Sequence, residues 1–326
     1  MTPDLPAALR LAIDQMLAGV SRSGLAERAD KISRAYRDGK PSAGVVVDPA
    51  DAIAYALSRL PATFAACART FFEATSQAPD FAPKSLLDAG CGPAGSAWAA
   101  CEAWPSLETI HLLDSNPVFL ALAADLANDA ELPMRMATRV KTDITRPEPW
   151  PAADLVVASY ALAEIPAARQ GDTVAALWAA CEGLLILVEP GTPDGWRRLL
   201  EARNQLLNSG ANLIAPCPHS QACPISELGD WCHFSQRLAR SRDHRKVKGA
   251  DAPFEDEKFM YLVAARDGVK PRAPSARILA PPVRAKPATQ LKLCTISGGL
   301  QVETIPRRDK VAFAKTRRLG WGDLFD

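Results

Sequence analysis

The segment Leu86-Leu87-Asp88-Ala89-Gly90-Cys91-Gly92-Pro93-Ala94-Gly95 constrains the fold more than any other part of the chain. A short apolar strand, Ser85 to Asp88, runs into a glycine-rich turn, and Ser96 to Trp104 then reads as a helix. Glycine lacks the Cβ that keeps a backbone away from its neighbours, and a helix start offers free N–H donors. Strand and helix continue to alternate: Thr109–Asp114 with Pro117–Asn128, the strand candidate Met134–Val140, Asp154–Ser159 with Thr173–Glu182, then Leu184–Glu189 with Gly195–Leu207. Alternation of this kind predicts an α/β fold, a Rossmann-like doubly wound parallel sheet. Glu257–Ala265 reads as one further strand, returning at the sheet edge.

The rest of the chain is laid out around this unit. Residues 1–80 form an N-terminal helical segment, with apolar positions three and four apart (Leu5, Leu9, Ala12, Ile13, Met16) and again at Ile53, Ala56, Leu57 and Leu60. A basic stretch, Arg22 to Lys40, lies between them with Gly24 and Gly39 as breaks. Residues 81–210 are the Rossmann-like domain, 211–256 a cysteine-rich insertion and 257–266 the returning strand. Residues 267–326 are a basic C-terminal extension: a Pro-rich linker to 290, a small β-hairpin over 291–305 turning at Ser297-Gly298-Gly299, and a basic helix, Lys310–Leu319.

With 326 residues, 48% of them hydrophobic, the chain can build a sizeable core. No apolar run reaches the ~20 residues needed to span a bilayer, and Met1 to Val20 lacks the basic start of a secretory signal. A soluble, cytoplasmic monomer is expected, with no membrane partner. The overall charge of +1 hides a division. Residues 1–234 hold 18 Lys and Arg against 27 Asp and Glu, while residues 235–326 hold 20 against 10. The basic third reads either as a solvated face or as a surface that meets a polyanion. Clustering of its cations in short segments favours nucleic acid.

In a dinucleotide fold, the first strand–helix turn holds a pyrophosphate. Here Asp88 ends the strand, and a carboxylate there suits an amino-acid ammonium better than a phosphate. Asp114 ends the second strand, 22 residues beyond Gly92, where a ribose hydroxyl pair would be held. Asp143 follows the third strand and is placed for an adenine amino group. A Rossmann-like domain without its ligand is the competing reading. Region 84–190 resembles the class I S-adenosylmethionine-dependent methyltransferases, whose first motif shares the acid-x-Gly-x-Gly core. The resemblance implies that Gly90 and Gly92 cradle S-adenosylmethionine, that Asp114 binds its ribose and that Asp143 lies by its adenine.

The strand Asp154–Ser159 leads into Tyr160-Ala161-Leu162-Ala163-Glu164-Ile165-Pro166, where that family's fold presents the methyl group. The Asn/Asp-Pro-Pro-aromatic motif of base amino methyltransferases is absent, as is a cysteine placed like the nucleophile of cytosine C5 enzymes. Ser159, Tyr160 and Glu164 are the catalytic candidates. Equally, Tyr160 reads as a packed ring and Glu164 as a helix-capping acid. Methyl transfer depends mainly on proximity and in-line orientation, so a missing acid–base pair does not exclude it.

Of eight cysteines, three lie in the insertion: Cys217, Cys223 and Cys232. Cys294 is the fourth of a C-x5-C-x8-C-x61-C series. Without a secretory signal, clustered cysteines point to metal or catalysis rather than disulfides. Four thiolates hold either zinc or an iron–sulfur cluster; three buried free cysteines are the other reading. Cys67, Cys91, Cys101 and Cys181 are isolated and read as packing residues.

The blocks Cys217-Pro218-His219-x3-Cys223-Pro224, Asp230-Trp231-Cys232-His233-Phe234-Ser235-Gln236-Arg237 and Arg318-Leu319-Gly320-Trp321-Gly322-Asp323-Leu324 narrow the resemblance. They are similar to methyltransferase-like proteins associated with the mitochondrial ribosomal small subunit and to their bacterial relatives. The likeness extends from about residue 80 onward. It implies a role on the small subunit and its rRNA, and a 4Fe-4S cluster on Cys217, Cys223, Cys232 and Cys294. Arg237, Arg240, Arg242, Arg245, Lys246 and Lys248 after the third cysteine are the expected phosphate contacts. So are Arg307, Arg308, Lys310, Lys315, Arg317 and Arg318 around the last helix. Three functions follow from these expectations: an rRNA methyltransferase, a non-enzymatic assembly factor, or a protein or small-molecule methyltransferase with structural zinc.

Overall fold

The computed structural model describes residues 3–38, 41–146, 149–226, 228–272 and 274–325. The N-terminal segment forms α1 (Ala7–Met16), α2 (Arg22–Arg37), α3 (Pro49–Ser58) and α4 (Leu60–Gln77). Gly24 lies inside α2 rather than breaking it, and Gly39 and Lys40 lie outside the described residues. The alternating region gives β1 (Ser85–Ala89), α5 (Gly95–Ala103), β2 (Thr109–Asp114), α6 (Pro117–Ala127) and β3 (Thr138–Lys141). It continues with β4 (Ala153–Ser159), α7 (Ala167–Ala180), β5 (Cys181–Pro190) and α8 (Pro193–Asn208). The third strand is shorter than expected, because Met134–Met136 form a single 3-10 turn from which Met134 enters the core.

Three of these helices begin with one device, a capping side chain followed by proline. Asp48 Oδ1 accepts from Asp51 N before α3, Asn116 Oδ1 from Val118 N before α6, and Thr192 Oγ1 from Gly195 N before α8. The cap satisfies one free N–H, and proline costs nothing where no donor is needed.

The insertion is more ordered than its composition suggested. It holds β6 (Asn212–Ala215), β7 (Phe234–Ala239) and α9 (Arg242–Lys248), followed by β8 (Phe254–Ala265). The main sheet has the order β3-β2-β1-β4-β5-β8-β6, with β7 paired to β8. β1 to β5 are parallel, and β8 runs antiparallel to both β5 and β6. The returning strand is therefore not the edge: β6 takes that place. Residues 259–265 are buried without alternation, as expected of a strand covered on both faces.

Residues 267–290 are not a plain linker. β9 (Ala276–Ile278) and β10 (Val283–Arg284) lie there, with β11 (Ala288–Thr295) beginning at its end. With β12 (Leu300–Pro306), α10 (Lys310–Thr316) and β13 (Leu324–Phe325), they build a second sheet of order β10-β11-β9-β13, β12 pairing with β11. This sheet has its own small core of Ala276, Ile278, Leu291, Leu293 and Ile305.

Arg277 joins the two units. It is 0% exposed, and its guanidinium donates to Pro216 O (2.7 Å), Gly322 O (2.7 Å) and Glu73 Oε2 on α4 (2.6 Å). Arg69 closes the network by pairing with both Glu73 and Asp323. Removing one partner of a buried pair leaves the other charge uncompensated. Glu73→Gln is expected to cost about 3–5 kcal/mol of stability, read as a lowered urea midpoint. A loss within about 0.5 kcal/mol, typical of surface changes, would count against Arg277 as the joint.

Candidate functional site

The carboxyl ends of β1, β2 and β4 open onto a cleft of about 880 Å3, counted to its open mouth. It lies where the strand order reverses, the usual ligand crevice of a doubly wound sheet. The β1–α5 turn forms one wall through Gly90 to Pro93, with Asp114, Asp143, Ser159, Tyr160 and Glu164 around it. Gly90, Gly92, Asp114, Asp143 and the three catalytic candidates thus share one cavity.

The turn depends on its glycines. Gly90 has φ +70°, and a Cβ there would stand 2.7 Å from Ala161 Cβ and 3.3 Å from Ile144 Cδ1. Gly92 has φ +52°, and its N–H donates to Asp114 Oδ2 at 2.7 Å. Asn116 N donates to the other oxygen at 2.7 Å, so backbone donors fix both oxygens of Asp114 at the end of β2. Burial raises the Asp114 pKa against these hydrogen bonds. Asp143 is held differently: its Oδ1 accepts from Thr145 Oγ1 (2.7 Å) and Thr145 N (2.9 Å), which lower its pKa.

Asp88 stands beneath the turn and does not line the cleft. It is 0% exposed, accepts from Ser96 Oγ at 2.5 Å, and its Oδ1 has no partner among the described residues. Burial pushes its pKa up to about 7. The folded state therefore keeps a proton that the unfolded chain releases near pH ~4. Stability from this group is complete below about pH 4 and is lost as pH rises through about 7. Asp88→Asn is expected to flatten that decline, so that urea midpoints at pH ~5 and pH ~8 lie closer together than in the parent. Equal slopes in both proteins would contradict the protonated Asp88.

Tyr160 follows β4 with φ +58°, unusual for an aromatic residue. Its N–H donates to Val188 O at 2.7 Å and its hydroxyl to Glu257 Oε1 at 2.9 Å, so β5 and β8 together hold the turn. Glu257 also faces Arg59 at 3.5 Å. Glu164 Oε2 accepts from both Ser42 N (2.8 Å) and Ser42 Oγ (2.7 Å). Ser159 is 7% exposed at the strand end. A further carboxylate, Glu189, braces the same loop by accepting from Ala163 N (3.2 Å) and Arg198 Nε (2.7 Å).

Sequence reasoning missed the contribution of the helical segment. Tyr36, Pro41, Ser42, Tyr55, Leu60 and Thr63 complete the cleft wall. Tyr55 packs edge-on against Phe119, their ring centres 4.7 Å apart. The Asp48-Pro49 cap was the available signal, since it fixes where α3 starts and so where Tyr55 falls.

The four cysteines meet in a second pocket. Cys217 and Cys223 come from the loop after β6, Cys232 from the residues before β7 and Cys294 from β11. Trp196, Leu199, Ile225, Met260, Leu262 and Leu279 make the remaining lining largely apolar. Cys294 Sγ lies 3.3 Å from His219 Nε2. Burial raises the pKa values of the Cys217, Cys232 and Cys294 thiols, that of Cys294 to about 12. Among the described residues, no group of three or more His, Cys, Asp or Glu is drawn together as the ligands of a metal ion.

The basic residues divide by environment. Arg237 pairs with Asp256 and stands 3.9 Å over the Phe254 ring, while Arg240 and Lys248 both pair with Glu255. Arg242, Arg245 and Lys246 on α9 are exposed without an ion pair among the described residues. The same holds for Arg307, Arg308, Lys310 and Lys315, and for Arg317 and Arg318 after α10.

Residues 49–326 match the profile of the family described as mitochondrial small ribosomal subunit Rsm22. The human mitochondrial ribosome assembly protein METTL17 is 29% identical, over 83% of this chain and 62% of its own length. The mitochondrial Rsm22-cox11 tandem protein 2 of Schizosaccharomyces pombe is 25% identical, over 90% of this chain and 45% of its own. The chain thus spans about half to three-fifths of these relatives. Among solved structures, magnesium protoporphyrin IX methyltransferase from Synechocystis aligns at 12% identity and TM-score 0.40, over 61% of this chain and 79% of that one. A putative RNA methyltransferase from Pyrococcus horikoshii aligns at 9% identity and TM-score 0.41, over 62% and 84%.

Proposed function

The chain belongs to the family of the mitochondrial small ribosomal subunit protein Rsm22, and from that premise we propose that it binds S-adenosylmethionine and acts on the small ribosomal subunit, with rRNA as the methyl acceptor. The observation that carries this reading is the convergence of Gly90, Gly92, Asp114 and Asp143 on one cleft at the switch point. The turn offers backbone donors and a close approach, and Asp114 presents a fixed carboxylate to a ribose. The proposal includes a monomeric protein working in the cytoplasm; the mitochondrial labels belong to the relatives' names.

The cysteine pocket fits a 4Fe-4S cluster by its donor chemistry: four thiols in mostly apolar surroundings, with no carboxylate among them. Zinc on the same four thiols is the alternative, and anaerobic metal and sulfide analysis separates the two. Cys217, Cys223, Cys232 and Cys294 would hold the cluster, which when bound would supply a covalent tie between the β6–β7 loop and the second sheet. Exposed cations on α9 and around α10 then flank a surface whose shape depends on that tie.

A specific observation favours a second reading, a binding-only assembly factor. Glu164, an acid in the cleft wall, already accepts two hydrogen bonds from Ser42, and the Tyr160 hydroxyl is engaged with Glu257. Both readings require the small subunit. Its affinity is expected to fall steeply between about 50 and about 200 mM salt, as phosphate contacts dictate. Salt-independent binding, or no preference for the small subunit over unrelated RNA, would count against both.

A further inference from the structure

Only two arginines are buried among the described residues, Arg203 and Arg277, and they are not equivalent. Arg277 has Glu73 as its countercharge. Arg203, 3% exposed, has no carboxylate partner among the described residues. Its NH2 group donates to His219 O (3.1 Å) and Gln221 O (2.6 Å), NH1 reaches only Asn204 Oδ1 at 3.4 Å, and Nε has no partner. A buried cation without an anion is among the costlier features a fold can hold.

Four cysteine thiols surround it instead. Helix α8 turns Trp196, Leu199, Leu200 and Arg203 toward the thiol pocket, a spacing that puts them on one helix face. Arg203 is thus the charged member of a largely apolar wall facing Cys217, Cys223, Cys232 and Cys294. Its unpartnered Nε and its weakly engaged NH1 are the donors it has to spare in that wall.

We infer that Arg203 is the built-in countercharge of the four-cysteine centre, a positioning residue that balances thiolate charge and donates to sulfur while its NH2 group clamps the loop carbonyls. This rests on the reading of the four cysteines as a metal centre. Hydrogen bonds to sulfur and local charge are levers that tune such centres. They also explain how a net-negative centre can sit in an apolar pocket.

The test compares wild type, Arg203→Met and Arg203→Lys, each purified anaerobically as the full chain. Iron and sulfide content, resistance of the iron to a chelator and the midpoint potential are measured. Arg203→Met is expected to hold iron about 10–100-fold less tightly and to shift the potential downward, while Arg203→Lys recovers most of both. Wild-type retention and potential in Arg203→Met would overturn the inference, as would equal damage in both variants, which would leave only the carbonyl clamp. A second measurement does not need a cluster in the variant. In a Cys223→Ser background, where the centre is lost, Arg203→Met should raise the urea midpoint, because it removes a cation with nothing to balance it. A lowered midpoint there would contradict the countercharge. Wild-type protein lacking both iron and zinc would sink the metal-centre reading itself, and the inference with it.

Discussion

Gly90→Val is expected to abolish the proposed S-adenosylmethionine binding in calorimetry, while the circular dichroism spectrum stays that of the parent. Two costs combine at this position. An L side chain at φ +70° carries a penalty of about 1–2 kcal/mol. Its Cβ also collides at 2.7 Å with Ala161, on the loop that forms the opposite wall. The turn must move, and its donors leave the ligand. Gly92→Ala provides the contrast. Its backbone is also left-handed, but the added Cβ meets only Phe119 Cδ2 at 4.0 Å. Affinity is expected to drop by about tenfold, the equivalent of the backbone penalty alone. Equal effects at the two glycines would mean that the Gly90–Ala161 approach does not shape the site.

Cys223→Ser is expected to remove the metal and to weaken small-subunit binding by about 100-fold or more. The second sheet touches the cysteine loop through Cys294 and through Lys292, which pairs with Asp230 at 2.9 Å. That exposed pair contributes little by itself. Without the thiol tie, the Arg277 joint alone is left to hold the cations around α10 in register with those of α9, and much of the advantage of linked contacts is expected to be lost. Thermal unfolding followed in parallel separates this from global collapse, since the Arg277–Glu73 joint remains. Full RNA affinity in metal-free Cys223→Ser would show that the metal does not shape the surface.

The parts of the fold that are periodic or punctuated were legible from sequence. β1, β2, β4 and β5 are apolar runs bounded by turns, and the Gly90–Gly92 turn announced both the fold and the site. β6, β9 and β10 were hidden because strands of two to four residues carry no usable period. β8 was found but misplaced at the edge, since the strand that pairs along its outer side, β6, was itself hidden. The cleft residues Gly90, Gly92, Asp114 and Asp143 were legible because chain order places them at or just after successive strand ends, whereas Asp88 lies beneath the turn. Tyr36, Ser42 and Tyr55 were not, because their role depends on how a separate helical segment docks on the sheet. Arg277 stood in a Pro-rich basic run that looked solvated, yet it is the most buried cation among the described residues. Charge alone cannot distinguish a phosphate contact from a structural pivot: Arg240 and Lys248 pair with Glu255, whereas Arg242, Arg245 and Lys246 remain exposed.

The central claim, an S-adenosylmethionine-binding protein that works on the small subunit, is tested most directly with methyl-labelled cofactor. Small subunits from cells lacking this protein are incubated with the label and either the intact chain or Gly90→Val, then sedimented. The account predicts label travelling with the small subunit only when the intact chain is present, and acid-stable label in rRNA as the mark of transfer. Label that is releasable by denaturation but depends on the intact chain identifies the binding-only reading. No chain-dependent label on subunits, or the same label with Gly90→Val, would contradict the account.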